Sequence, residues 1–237
     1  MTSRVRVLAP RRSWDPGSLP LSPHPPEEAS LLARHRTGWT ARLEVPPFGP
    51  CVLKIYVYPG METLRGAFRN TFLAPSRVAR ELRTLLWLRG KGLGAPEPLA
   101  IGETRFLGWL RRAWILTRFV EAPDMEALFR GPSPPLEGPA RALGRWLGTA
   151  HGLGLEDRNP QLRNFLALPG TAGGWRILKV DSPRARLHPG PAPRRARSGD
   201  LALLRGEFRR LGLPGETWRL FSRAYEESLG RRIQEGS

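Results

Sequence analysis

The chain has 237 residues, and its 38 basic and 21 acidic residues give a formal net charge of +17. With 40% hydrophobic residues and eight tryptophans, it has the composition of a folded protein with a real core rather than a disordered chain. The single cysteine, Cys51, excludes an intramolecular disulfide and a cysteine-based zinc site. No apolar stretch approaches the roughly 20 residues that span a bilayer.

The excess positive charge favours anionic partners such as phosphorylated substrates or an acidic membrane surface. Because the charge is scattered along the chain, it argues against dedicated nucleic-acid binding. The first ten residues lack the apolar core of a secretory signal. We therefore expect a cytoplasmic protein, with a peripheral place at the inner face of the membrane as an option that the charge leaves open.

The first elements in chain order are an arm and a hairpin. Six prolines between residues 10 and 26 predict that residues 1–27 form an irregular, proline-rich arm. Residues 39–45 alternate in strand fashion, residues 46–50 form a proline- and glycine-containing turn, and residues 51–57 are a strand-like apolar run. This pattern predicts a β-hairpin.

Lys54, in the second strand of that hairpin, is one of only three lysines among the 38 basic residues. Lysine carries a compact charge that suits a phosphate oxygen or one carboxylate, whereas arginine presents a wide planar fork. A lysine retained in an arginine-rich chain therefore indicates a specific partner. The alternative is an edge-strand lysine with its ammonium in water.

A helix is predicted next, with Ser76 as its N-cap and Gly90 at its end. Its apolar residues share one face, and they are Val78, Leu82, Leu85 and Leu86. Glu81 lies on the flank of this face, so its carboxylate needs a partner, and Lys54 is the candidate. The alternative is a surface glutamate paired with Arg77, of little energetic value.

The rest of the chain is mostly helical. Strands are predicted at residues 99–102, 112–120 and 175–180, the last delivering Asp181. Helices are predicted from Pro123 and Asp124, from Ala140 to His151, where the imidazole would interact with the helix dipole, and twice after a basic, proline-rich segment at 183–199. The order predicts an α+β protein, with a sheet-rich lobe at 28–120 and a small helical lobe at 121–237.

The chemistry-bearing residues occur in a recognisable order. After the strand Lys54 and the helix Glu81, a loop supplies Asn164 five positions after Asn159, and a strand ends at Asp181. A kinase-like phosphotransferase needs a lysine for the phosphates, a glutamate to orient it, an asparagine and an aspartate for Mg²⁺, and a base in the loop.

The sequence resembles the lipopolysaccharide kinase family, the Kdo and heptose kinases of protein-kinase-like two-lobed fold. Residues 76–83 and 92–100 are similar to the family's glutamate-bearing helix and the turn after it, residues 112–120 to the strand entering the hinge, and residues 200–204 to a late helix. The resemblance spans roughly residues 50–230 by motif order.

The resemblance implies ATP and Mg²⁺ as cofactors. It makes Lys54 the phosphate-binding lysine, Glu81 its partner, and Asn164 and Asp181 the metal ligands. Adenine would lie against the hinge, formed by Leu116, Thr117, Arg118, Phe119 and Val120.

The catalytic loop departs from the family pattern, which is His-x-Asp followed five residues later by Asn or His. Asn159 stands where the aspartate should be and Asp157 where the histidine should be. An amide cannot accept a proton, and a general base contributes about 10²- to 10⁴-fold. Asp157 could replace the base if the loop shifted, but Pro160 restricts Asn159 to extended conformations. Asp181 is also followed by Ser182 and Pro183, and the phosphate loop has Gly38 without a Gly-x-Gly-x-x-Gly.

Three functions remain from these patterns. The first is a kinase that phosphorylates a hydroxyl of a sugar or a lipopolysaccharide-type glycolipid, with a small-molecule acceptor as a variant. The second is a pseudokinase that binds nucleotide or acts as a scaffold, which Asn159 supports. The third is a general polyanion binder.

Overall fold

The computed structural model describes residues 2–8, 14–35, 37–58, 72–132, 135–170 and 173–235. The chain forms two compact units. The first comprises residues up to Leu86 together with Pro96–Val120, and the second comprises Trp87–Ala95 together with the chain from Glu121 onward.

The first unit is built on a six-stranded antiparallel sheet. Its strands are β1 (Thr2–Val7), β2 (Ser30–His35), β3 (Gly38–Val45), β4 (Gly49–Val57), β5 (Pro98–Phe106) and β6 (Trp109–Arg118), in the spatial order β1-β5-β6-β4-β3-β2. The predicted hairpin is confirmed, because β3 and β4 pair with Thr40 opposite Lys54. Gly38 is required by this pairing, since a Cβ there would collide with the carbonyl oxygen of Ile55.

One face of the sheet carries the hydrophobic core of this unit. Cys51, Leu53 and Ile55 alternate along β4 and are fully buried there. Successive side chains of a strand point to opposite faces. Lys54 and Tyr56 therefore point to the other face.

The prediction of an irregular arm is wrong for Thr2–Val7, which pairs with β5. All six residues of this strand are exposed, so no buried face holds it to the sheet, and it is attached through its backbone pairing with β5. The described residues between position 14 and the start of β2 are irregular apart from the 3₁₀ turn Pro16–Ser18. They are nevertheless packed. Trp14 lies edge-on to Phe48, with ring centroids 5.2 Å apart.

Helix α1 (Arg77–Gly90) follows. The Ser76 hydroxyl accepts a hydrogen bond from the Ala79 amide at 3.0 Å, which confirms the predicted N-cap. Three of the four apolar residues predicted for its buried face are buried, whereas Leu86 is 45% exposed. The buried face is centred closer to Glu81 than the sequence predicted, because Leu88 is buried instead.

The second unit combines helices and short strands. Its helices are α2 (Met125–Phe129), α3 (Glu137–Gly152), α4 (Arg194–Arg210) and α5 (Gly215–Glu235), and its strands are β7 (Leu155–Glu156), β8 (Phe165–Pro169), β9 (Trp175–Lys179) and β10 (Arg186–Leu187). Strands β8 and β9 form an antiparallel hairpin, and β7 pairs with β10. Residues 194–199, predicted as irregular, are the first turns of α4.

Helices α3 and α5 pack closely in this unit. A Cβ on Gly144 or Gly148 would meet the backbone oxygen of Phe221 or Tyr225, so these glycines allow the two backbones to approach. The α+β class predicted from the order of elements is confirmed. Within the described ranges no helix is long and apolar enough to cross a bilayer.

Candidate active site

The first unit contains a buried ion pair between Lys54 on β4 and Glu81 on α1. The Lys54 Nζ lies 3.1 Å from Oε2 and 3.3 Å from Oε1 of Glu81, and the two side chains are 9% and 7% exposed. The predicted pairing is present, so an edge lysine with its ammonium in water is wrong. A surface Glu81 paired with Arg77 is wrong too, because Arg77 lies over the Tyr56 ring at 5.6 Å.

The hinge residues end strand β6. Leu116 is fully buried. The amide of Arg118 donates to the Glu97 carbonyl at 2.9 Å, and that of Phe119 donates to the Pro50 carbonyl at 3.0 Å. These two amides therefore hold the end of β6 to neighbouring parts of the first unit.

In the second unit, Asp200 of α4 anchors the loop after β7. Its carboxylate accepts from the amides of Asp157 at 2.7 Å and Arg158 at 2.8 Å, and it lies 3.2 Å from His151 Nε2. The other ring nitrogen of His151 lies 2.9 Å from the Tyr225 hydroxyl. His151 therefore belongs to a buried network, and burial raises the pKa of Tyr225 to about 12.

Asn159 and Asn164 follow these anchored residues along the same loop. The carboxamide nitrogen of Asn164 donates to the Asn159 carbonyl at 3.3 Å. The Asn164 carbonyl accepts from the Val180 amide at 2.9 Å, which places Asn164 at the end of the β8–β9 hairpin beside Asp181. The Asn159 side chain is partly exposed, as a residue that contacts a substrate must be.

Asp157 lies in the interior, with no exposed area. Its Oδ2 is 3.4 Å from the ammonium of Lys179, which is equally buried. Burial raises the pKa of Asp157 to about 6, with Lys179 opposing the rise. A general base must reach the acceptor hydroxyl, so this burial argues against Asp157 as a replacement base.

Asn164 and Asp181 are the candidate metal ligands. Their amide and carboxylate oxygens suit Mg²⁺, which binds one or two protein oxygens and completes its shell with phosphate oxygens and water. Among the residues whose structure is described, no group of three or more His, Cys, Asp and Glu side chains could hold a metal.

The contacts of Lys179 and Asp200 with the loop after β7 were not predicted from the sequence. Lys179 could have been found by the argument applied to Lys54, since it is another of the three lysines and lies in an apolar strand. Asp200 opens the segment that resembles the family's late helix, but its partners in the loop are distant in the sequence, so no spacing pointed to them.

The fold of this chain is protein-kinase-like. It is similar to a structure of WaaP in complex with acyl carrier protein, with 22% sequence identity over 84% of this chain and 79% of that chain and a TM-score of 0.61. It is also similar to the Rio2 kinase–ADP/Mg²⁺-phosphoaspartate complex from Chaetomium thermophilum, with 15% identity over 87% and 69% of the two chains and a TM-score of 0.54.

The particular family follows from the sequence. The sequence model of the lipopolysaccharide kinase (Kdo/WaaP) family matches residues 32–225, and the chain belongs to that family. Membership implies a kinase-like phosphotransferase that uses ATP with a metal ion. A search of curated proteins gave no match.

Proposed function

We propose that this protein transfers the γ-phosphoryl group of ATP, as its Mg²⁺ complex, to a hydroxyl of a sugar in a lipopolysaccharide-type glycolipid. The observation that carries the proposal is the buried Lys54–Glu81 pair, at 3.1 Å. Taking two charges out of water costs free energy that their attraction offsets only when the geometry is good. A contribution to stability is therefore a weak reason for the chain to keep this pair. In a chain that uses arginine almost everywhere, this lysine is held by a carboxylate, as a phosphate-binding lysine is in kinases.

The chain's own residues would divide the work as follows. Lys54, oriented by Glu81, would contact phosphate oxygens and balance their charge. Asn164 and Asp181 would hold Mg²⁺, which supplies further charge neutralisation on the phosphates when bound. We assign the hinge and Lys54 to the sheet-rich lobe, residues 28–120, and the metal ligands to the helical lobe, residues 121–237.

Asn159 would orient the acceptor hydroxyl without accepting its proton. Transition states for phosphoryl transfer are loose, so positioning and charge stabilisation supply most of the acceleration. The loss of a general base costs about 10²- to 10⁴-fold. We therefore expect a slow kinase, and we expect Asn159→Asp to raise its rate.

The test measures transfer of labelled phosphate from ATP to glycolipid extracts by the wild type, Lys54→Ala and Asp181→Asn. Both variants should lose at least about a hundredfold in rate, the order expected when a group that stabilises transition-state charge is removed. Lys91→Ala is the matched control, because Lys91 is exposed, and it should retain full activity. A wild type that neither binds Mg·ATP nor phosphorylates any extract would refute the proposal.

A second candidate is a pseudokinase, and the amide at position 159 is the observation that favours it. Such a protein would show a thermal shift with Mg·ATP that Lys54→Ala abolishes, yet transfer no phosphate. Transfer by the wild type decides for the kinase. Binding without transfer, unchanged by Asn159→Asp, decides for the pseudokinase.

The net charge of +17 supports an acceptor that lies in an anionic membrane. We expect the protein to sediment with vesicles that contain phosphatidylglycerol and not with vesicles of phosphatidylcholine alone. Because exposed charges are screened by salt, this binding should weaken as the salt concentration rises. Equal binding to both vesicle types would contradict a peripheral place at the membrane.

A further inference from the structure

The second buried lysine, Lys179, has contacts that the proposed chemistry does not use. It is the last residue of β9, two positions before Asp181, and has no exposed area. Its ammonium lies 3.4 Å from Asp157 Oδ2 and 4.9 Å from the centre of the Phe165 ring. It also donates to the carbonyl oxygens of Val180 at 2.9 Å and of Asp181 at 3.4 Å.

The two carbonyls belong to the two peptide planes that flank the Cα of Asp181. The plane before Cα sets φ and the plane after it sets ψ, because planar peptides leave only these two soft torsions. An ammonium that binds both carbonyls therefore restrains the direction of the Asp181 side chain. This restraint acts on a strained residue, since φ of Asp181 is 56°, a left-handed conformation that a residue other than glycine keeps only when its surroundings hold it.

The ammonium is itself held from the side of the catalytic loop. The Asp157 carboxylate makes the 3.4 Å ion pair, and neither of its oxygens accepts a hydrogen bond from the described residues. The backbone of Asp157 is tied in turn to Asp200 at 2.7 Å. A continuous series of contacts thus runs from α4 through the loop and Lys179 to the backbone of Asp181.

We propose that Lys179 and Asp157 are positioning residues: the buried pair links the catalytic loop to Asp181 and holds that carboxylate in its metal-binding direction. This inference rests on the proposed function in naming Asp181 as the metal ligand. A pair that served only to satisfy two interior charges would be replaceable by apolar residues without effect on Asp181. Such replacement of a buried ion pair is often neutral for stability or even stabilising.

The test uses Asp157→Leu/Lys179→Met, which removes both charges together, and Ile177→Met as the matched control on the same strand, where Ile177 is also buried. Urea unfolding checks that the double variant is folded. ATP affinity is then measured by calorimetry with and without Mg²⁺, and amide hydrogen exchange is measured for peptides covering residues 180–187 in the nucleotide-free protein.

The double variant should remain folded and show faster amide exchange at 180–187. The factor by which Mg²⁺ increases its ATP affinity should be about 10- to 100-fold smaller than in the wild type, the range typical for partners that orient a metal ligand. Its metal-free ATP affinity and the behaviour of the control should match the wild type. Should the double variant fail to fold, Lys179→Arg, which keeps the charge but not the compact ammonium, takes its place with the same expected changes.

The outcomes separate the two proposals. Unchanged exchange at 180–187 together with an unchanged Mg²⁺ effect would overturn the positioning role. A wild type that does not bind ATP would refute the proposed function instead, and the exchange measurement would still decide whether Lys179 and Asp157 hold the segment around Asp181.

Discussion

Removal of the Lys54–Glu81 pair gives the sharpest test of the energetics. At 3.1 Å, two unit charges attract by about 5 kcal/mol at an effective dielectric constant near 20. The cost of taking both from water offsets most of this gain, so the pair as a whole adds little to stability. Loss of one partner, however, leaves the other charge buried without this ion pair and costs about 3–5 kcal/mol.

We therefore expect Lys54→Met and Glu81→Leu each to lower the free energy of unfolding by that amount. The double variant should lie within about 1 kcal/mol of the wild type, because well-packed apolar residues can replace a buried pair. ATP affinity should nevertheless be lost in the double variant, since the Lys54 ammonium that would contact the phosphates has been removed.

The assay is a double-mutant cycle by urea unfolding, followed through tryptophan fluorescence, with ATP binding measured by calorimetry on each folded variant. The exposed pair Arg223–Glu227, whose side chains are 76% and 51% exposed, is the control and should show a coupling of about 0.5 kcal/mol or less. If the double variant were destabilised by the sum of the two single effects, or bound ATP like the wild type, the reasoning would be wrong.

Three further predictions concern the second unit. Burial raises the pKa of Asp157 from 3.8 to about 6, so between these pH values the folded state keeps a proton that the unfolded state releases. The free energy of unfolding should therefore fall by up to about 3 kcal/mol as the pH rises from 4 to 6. In urea titrations at different pH values, Asp157→Asn should lack this part of the pH dependence. Gly144→Ala should cost about 1–3 kcal/mol and lower Tm, because its Cβ would meet the Phe221 carbonyl oxygen, while Gly206→Ala, with open space around it, should raise Tm. Asp200→Asn should cost about 2–4 kcal/mol, because the carboxamide keeps only one acceptor oxygen: one of the two hydrogen bonds to a charged acceptor, worth about 1.5–3 kcal/mol, is lost and the other becomes a weaker, neutral one; an unchanged urea midpoint would contradict this anchoring role.

The local features of the site were predictable because they depend on spacing within one element. The Ser76 cap follows from a residue preference at helix starts. The place of Glu81 on the flank of the apolar face of α1 follows from the rotation of about 100° per residue in a helix. The hairpin that carries Lys54 follows from two alternating runs joined by a turn. Strand β1 escaped prediction although Arg4-Val5-Arg6-Val7 alternates, because the run is short, all six residues of the strand are exposed, and its partner β5 is distant in the chain.

The amino-acid sequence thus established the family, the order of the chemical groups and the amide at position 159, since each of these is a property of residue identity and spacing. The folded structure alone revealed that Asp157 is buried against Lys179, that Asp200 holds the loop, and that Lys179 binds the backbone on both sides of Asp181. The bonds from Lys179 to the carbonyls of Val180 and Asp181 are local, but they depend on the backbone conformation at Asp181. The contacts of Asp157 with Lys179 and of Asp200 with the loop join segments that are far apart in the chain. Their partners are selected by packing in three dimensions, which leaves no regular spacing in the sequence.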